Sequence, residues 1–179
     1  MKSKIFFITI LLVTWLSLMA MQTAKPVKII FFGDSITEIG VQPGGYIDKM
    51  RRMLKDKNVS NYQLTGTDAD KFEKFYVALI RKLQANGIQV ALCTPAVIGE
   101  KTDGKNELDD DLNKFSQIIR NLAGKYGLPL CDLRRIFMDY LAQNNGENKE
   151  KGVLTNDGVH LNDAGNQLVA EHVLKIIMK

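Results

Sequence analysis

Two short stretches at opposite ends of the chain carry residue types that could do chemistry together. Near the start, Gly33-Asp34-Ser35-Ile36-Thr37 follows the apolar run Val27-Lys28-Ile29-Ile30-Phe31-Phe32. Near the end, Asp157-Gly158-Val159-His160 precedes Leu161-Asn162-Asp163-Ala164-Gly165. A serine hydroxyl is a poor nucleophile until a base removes its proton, and imidazole does so at neutral pH. An acid three residues before the histidine can fold back onto its Nδ1–H and fix the tautomer. Each stretch also has a plainer reading. A serine after a strand and a turn glycine is commonly a helix N-cap, and Asp157 and His160 could be a turn former and a solvated loop residue. The other histidine, His172, lies between Leu168 and Ile176 at helical spacing and reads as a core-edge residue.

The elements that must position these residues alternate in type. The apolar run before Gly33 reads as a strand buried on both faces. Tyr46 to Lys57 reads as a basic amphipathic helix with Ile47, Met50, Met53 and Leu54 on its apolar side, and Asn61 to Thr65 as a short strand. Asp68 or Asp70 caps a helix running to Ala85, which Asn86-Gly87 closes. Ile88 to Cys93 is the next strand, stopped by Thr94-Pro95. A helix from Glu107 to Lys125 places Leu108, Leu112, Phe115, Ile118, Ile119 and Leu122 on one face. Leu128 to Cys131 is a short strand, Leu133 to Leu141 a helix, Gln143 to Lys151 a polar loop, and Asp163 to Met178 the last helix. Strands alternating with helices imply one α/β domain built on a parallel sheet covered on both faces. Ligands of such sheets bind beyond the carboxyl ends of the strands, where Ser35 falls.

Composition narrows the class. The 179 residues are 45% hydrophobic and 25% charged, which excludes a disordered, collagenous or multi-span membrane chain. Lys2 and Lys4 precede an apolar stretch from Ile5 to Met19, with small residues at Ala20 and Ala24. This is the pattern of a secretory signal peptide over residues 1–20, cleaved near 20–24, with an uncleaved anchor as the other reading. The expected mature protein, residues 25–179, is periplasmic or extracellular and meets the membrane only through its signal peptide. Without residues 1–20 the chain has 22 basic and 20 acidic residues, so it offers no electrostatic footprint for nucleic acid. Two cysteines, Cys93 and Cys131, exclude a disulfide scaffold and read as buried thiols at strand ends. Export would also allow them to form a disulfide.

The joint occurrence of Gly33-Asp34-Ser35 near the mature N-terminus and Asp157-x-x-His160 near the C-terminus resembles the SGNH (GDSL) hydrolase family. Thr94-Pro95 after one strand and Leu130-Cys131-Asp132 in the next are similar to family elements. The resemblance implies a three-layer α/β/α fold with a flavodoxin-like sheet, and an ester hydrolase with a Ser-His-Asp triad. Ser35 would be the nucleophile, His160 the base and then the acid, and Asp157 its orienter. The Ser35 backbone N–H, with Asp34 and a weaker Gly66, would serve the oxyanion and substrate. No metal or organic cofactor is implied.

The resemblance is incomplete. The glycine block after the second strand is reduced to Gly66, and the Gly-x-Asn-Asp block is absent. What is missing between Leu64-Thr65-Gly66 and Thr67-Asp68-Ala69-Asp70 is about 30 residues, a helix and a central strand, on the scale of a βαβ unit. That strand would lie between the first strand and Ile88–Cys93. The expectation is an exported serine esterase acting on a small-molecule ester, with acylated carbohydrates or lipids among the substrates. The alternative is a catalytically impaired relative that binds a carbohydrate or lipid without turnover. A nucleotide-binding module is set aside, because no phosphate-cradling glycine loop follows any strand. The loops Ile39 to Gly45 and Ile98 to Asn106 would shape the pocket and carry no readable code.

Overall fold

The computed structural model describes residues 29–33, 35–53, 59–63 and 69–178; the expected signal peptide lies outside them. Strand β1 (Ile29–Gly33) leads into helix α1 (Ser35–Gly40) and then α2 (Tyr46–Met53). Strand β2 (Val59–Gln63) and helix α3 (Ala69–Ala85) follow. The second half runs β3 (Leu92–Cys93), α4 (Asp109–Tyr126), β4 (Leu130–Cys131), α5 (Leu133–Asn144) and α6 (Asp163–Ile177). Helix α4 shows how local chemistry sets its bounds. Asp109, Asp110 and Asp111 fill its first turn, where the helix dipole favours anions, and Gly127 ends it in the left-handed conformation.

Both ladders between the named strands are parallel. β1 pairs with β2 from Ile29↔Val59 to Gly33↔Gln63, and β3 pairs with β4 through Leu92↔Leu130 and Cys93↔Cys131. Among the described residues these are two separate two-stranded sheets. That break falls where the sequence comparison removes a central strand. Alternation along the strands divides the core into two layers. Leu92 and Leu130 pack with Ile80 of α3 and with Ile119, Leu122 and Ala123 of α4. On the opposite face, Cys131 and Phe31 join Ile47 and Met50 of α2, Phe137 and Leu141 of α5, and Val169 and Ala170 of α6. Helices therefore cover both faces of the β3–β4 ladder, whereas Ile30 of β1 is exposed, so the first strand is not buried on both faces as its apolar run implies.

Three expectations need correction. The strand expected from Ile88 to Cys93 forms a ladder only at Leu92–Cys93, and Ile88 is exposed. Among the described residues β3 has a hydrogen-bonded partner on one edge alone, and its ladder is no longer than its overlap with β4. The short strand expected to begin at Asn61 already starts at Val59, paired with Ile29 in the register that β1 imposes, while its expected last residues, 64 and 65, lie outside the described residues. The two cysteines are not a buried pair. Both are free thiols, Cys131 buried and Cys93 exposed on the edge of the ladder.

The carboxyl ends of β3 and β4 are held by polar side chains. Arg120 of α4 donates two hydrogen bonds to Asp132, at 2.8 and 2.9 Å, and the Thr94 hydroxyl donates a third at 3.2 Å. The Arg120 guanidinium holds the Asp132 carboxyl below its ordinary range. Beside it, the Arg134 guanidinium is buried against Asp109 at 2.6 Å and against Asn113 at 2.9 Å. Removing one member of such a pair strands the other without its counter-charge. Arg134→Met is therefore expected to lower stability by about 3–5 kcal/mol, read by urea denaturation; a loss well under that would show that Asp109 finds another donor.

Candidate active site

The loop before α6 brings Asp157 and His160 into direct contact. One carboxylate oxygen, Oδ1, accepts the backbone N–H groups of Val159 at 2.9 Å and His160 at 2.8 Å. The other, Oδ2, lies 2.7 Å from Nδ1 of the His160 ring. The carboxylate thus closes a turn on its own backbone and, by its acceptor character, selects the tautomer with the proton on Nδ1. That leaves Nε2 free to take a proton, on a ring that is 39% exposed. The His160 ring, and then the two N–H donors, hold the Asp157 carboxyl well below the usual carboxylate range.

The sequence folds this way because the turn is tied at both ends. Gly158 adopts a positive φ of 97°, a conformation glycine enters freely. Thr155 and Leu161 form an antiparallel bridge across the loop, and Asn156 N–H donates to the His160 carbonyl at 2.8 Å. Asn162 then caps α6, its side chain accepting Gly165 N–H at 3.0 Å. Glu100, Asn145 and Asn166 are buried polar residues that pin the surrounding backbone, and pattern reading missed all three. Glu100 and Asn145 lie outside any periodic element, and a single Asn inside a helix, as at Asn166, carries no spacing signal either.

Ser35 begins α1 at the carboxyl end of β1. Ile36, its neighbour, packs into the same core layer as Leu154 and Leu161, which flank the Asp157–His160 turn. The two stretches therefore sit against a shared core. The Asp157–His160 contact has no counterpart between His160 and Ser35 among the described residues. Asp34 and Gly66, expected near the oxyanion, lie outside the described residues, as do 64 and 65. His172 stays apart, its Nδ1–H donating to the Leu168 carbonyl of its own helix at 2.9 Å. No cluster of metal-ligating side chains occurs among the described residues, and no helix there is long and apolar enough to cross a membrane.

With this geometry in place, comparison with known proteins is specific. Residues 59–168 match the GDSL-like Lipase/Acylhydrolase family. The solved structure of an acetyl xylan esterase, AlAXEase, is 42% identical, with a TM-score of 0.79 over 83% of this chain and 98% of that one. Axe2, an acetyl-xylooligosaccharide esterase from Geobacillus stearothermophilus solved as a point mutant, shares 17% identity at a TM-score of 0.68, covering 88% and 96% of the two chains. LAE5, an alpha/beta hydrolase enzyme from the metagenome of Lake Arreo, gives 18% identity and a TM-score of 0.67 over 86% and 96%. None of the curated proteins compared matches the chain. The chain belongs to the GDSL-like lipase/acylhydrolase (SGNH hydrolase) family, and its class is that of carboxylic ester hydrolases.

The depressed Asp157 carboxyl gives a pH prediction with a definite sign. A carboxyl whose folded pKa is lowered gives its full support above the ordinary aspartate value, and that support is lost progressively as pH falls from there to the lowered value. Carboxyl-detected NMR titration should find Asp157 still ionised at about pH 3, below the ordinary aspartate value near 3.9. In His160→Ala its midpoint should rise toward that ordinary value. An ordinary midpoint in the parent protein would rule out the contact in solution.

Proposed function

We propose that the protein is an exported serine esterase that removes acetyl groups from acetylated carbohydrate. The observation that carries this reading is the Asp157–His160 contact of 2.7 Å in a chain 42% identical to an acetyl xylan esterase. Ser35 attacks the ester carbonyl while His160 Nε2 takes its proton, and Asp157 steadies the imidazolium that forms. His160 returns the proton to the departing sugar hydroxyl, leaving an acetylated Ser35. Water activated by His160 then releases acetate and restores the serine. The Ser35 backbone N–H is the first oxyanion donor; Asp34 and Gly66, outside the described residues, take their part in the oxyanion and substrate site from the family resemblance alone. The basic start and apolar stretch of residues 1–20 supply the export signal.

A second reading has its own support. The β1–β2 and β3–β4 ladders, separate among the described residues, together with the absent Gly-x-Asn-Asp block, fit a protein that keeps the cleft and lacks a full oxyanion hole. Loss of one oxyanion donor costs about 10²–10³ in rate in a serine hydrolase. This reading makes the protein a binder of acylated carbohydrate or lipid.

Acetate release from acetylated xylooligosaccharide, beside p-nitrophenyl acetate hydrolysis, separates the two. Turnover is expected to fall at least about 10³-fold in Ser35→Ala and about 10³–10⁴-fold in Asp157→Asn, with folding intact. Full activity in Ser35→Ala would sink the nucleophile assignment. Ligand binding without Ser35-dependent turnover would select the binder.

A further inference from the structure

The loop from Ile98 to Asn106, which has no readable code in the sequence, delivers a fully buried carboxylate to the histidine loop. Glu100 is 0% exposed. Its Oε1 accepts the N–H groups of Leu154 at 2.8 Å and Thr155 at 2.5 Å, and the Thr155 hydroxyl at 2.7 Å. Its Oε2 accepts Val153 N–H at 2.7 Å. Four donors from three consecutive residues converge on one side chain, just ahead of Asp157. A buried carboxylate without such partners would be strongly unfavourable, so the loop backbone and the carboxylate fix each other.

The contact is relayed onward with a direction. The Thr155 hydroxyl has one proton, which goes to Glu100, so its lone pairs face outward and accept Gly158 N–H at 3.0 Å. Gly158 lies between Asp157 and His160, and its carbonyl accepts Gly99 N–H at 2.7 Å. Glu100 N–H donates to the Glu150 carbonyl at 2.9 Å, and its own carbonyl accepts the Asn145 amide at 2.8 Å. Gly99, at a φ of +83°, turns the chain here, and a Cβ there would overlap the Asn106 side chain. Residues 99 and 100 therefore grip the histidine loop at residues 150, 153–155 and 158.

We propose that Glu100 is a positioning residue for the esterase reaction, setting the Asp157–His160 turn through Thr155 and Gly158 without touching substrate. This rests on the Ser-His-Asp reading above. A glutamine in its place keeps the shape but must turn an NH₂ donor toward a backbone N–H, which loosens the loop. Misplacement of a catalytic group by about 1 Å can cost on the order of 10²-fold in rate.

The test is kcat per active site, with sites counted by a serine-directed organophosphonate, and KM for p-nitrophenyl acetate. Glu100→Gln should lower kcat per titrated site about 10–100-fold with KM changed by less than about threefold. A purely structural role would reduce the number of titratable sites and leave kcat per site unchanged. Thr155→Val, which removes only the relaying hydroxyl, should lower kcat per site about 3–10-fold, and it carries the test should Glu100→Gln not fold. Values within about twofold of wild type for the folded variants overturn the proposal while leaving the triad standing. A wild type without Ser35-dependent turnover overturns the triad reading and this role with it.

Discussion

A carboxylate sealed from water must be surrounded by donors, and that constraint organises the business end of this protein. Glu100 meets it with three backbone N–H groups and one hydroxyl of a single loop. Hydrogen bonds to a charged acceptor are shorter and stronger than neutral ones, so the segment 153–155 is held far more firmly than an ordinary connection. The histidine turn begins two residues later. The result is an exposed imidazole on a rigid base, a combination that a loop of polar residues would not otherwise give. Asp157 itself is half exposed, and its orientation comes from its own turn. The two carboxylates divide the work: Asp157 orients the ring, and Glu100 holds the backbone that carries Asp157.

The order of strands and helices was legible in the sequence because alternating elements leave periodic traces. The amphipathic face of α4, the cap of α6 and the end of α3 at Asn86-Gly87 all follow from local rules. The Asp157–His160 contact was legible too, since a three-residue spacing lets a short acid reach back to its own turn. Glu100 was not, because its partners lie more than fifty residues away and its loop has no period. The exposure of Cys93 was equally hidden. A strand-end cysteine is buried only where a neighbour covers it, and β3 lacks one on its outer edge among the described residues.

The split sheet has a mechanical consequence. In an unbroken parallel sheet, strand-to-strand hydrogen bonds fix the carboxyl end of the first strand relative to the others. Here the ladder carrying Ser35 and the ladder nearest Glu100 share no such bond among the described residues. Something else must set the distance from the serine stretch to the histidine stretch.

That role falls to the helix layer. Tyr46 N–H, at the start of α2, donates to the Asn166 side chain at 2.7 Å, and Asn166 in turn donates to the carbonyls of Leu161 and Asn162 at 3.2 and 2.9 Å. Lys49 reaches Asp163 at 2.7 Å on the surface of the same junction, an exposed pair that adds little by itself. The Tyr46 hydroxyl meets Thr37 of α1 at 3.2 Å, two residues from Ser35, and a Cβ at Gly40 would overlap the Tyr46 ring. A continuous path therefore runs from Ser35 through Thr37 and Tyr46 to Asn166 and Leu161, beside His160. Ser35 and Thr37 are joined by the backbone of α1, and the later steps are hydrogen-bonded, which stiffens the path. In this chain the serine and histidine stretches are registered by the packing of α2 on α6, with the sheet acting as a support for each half.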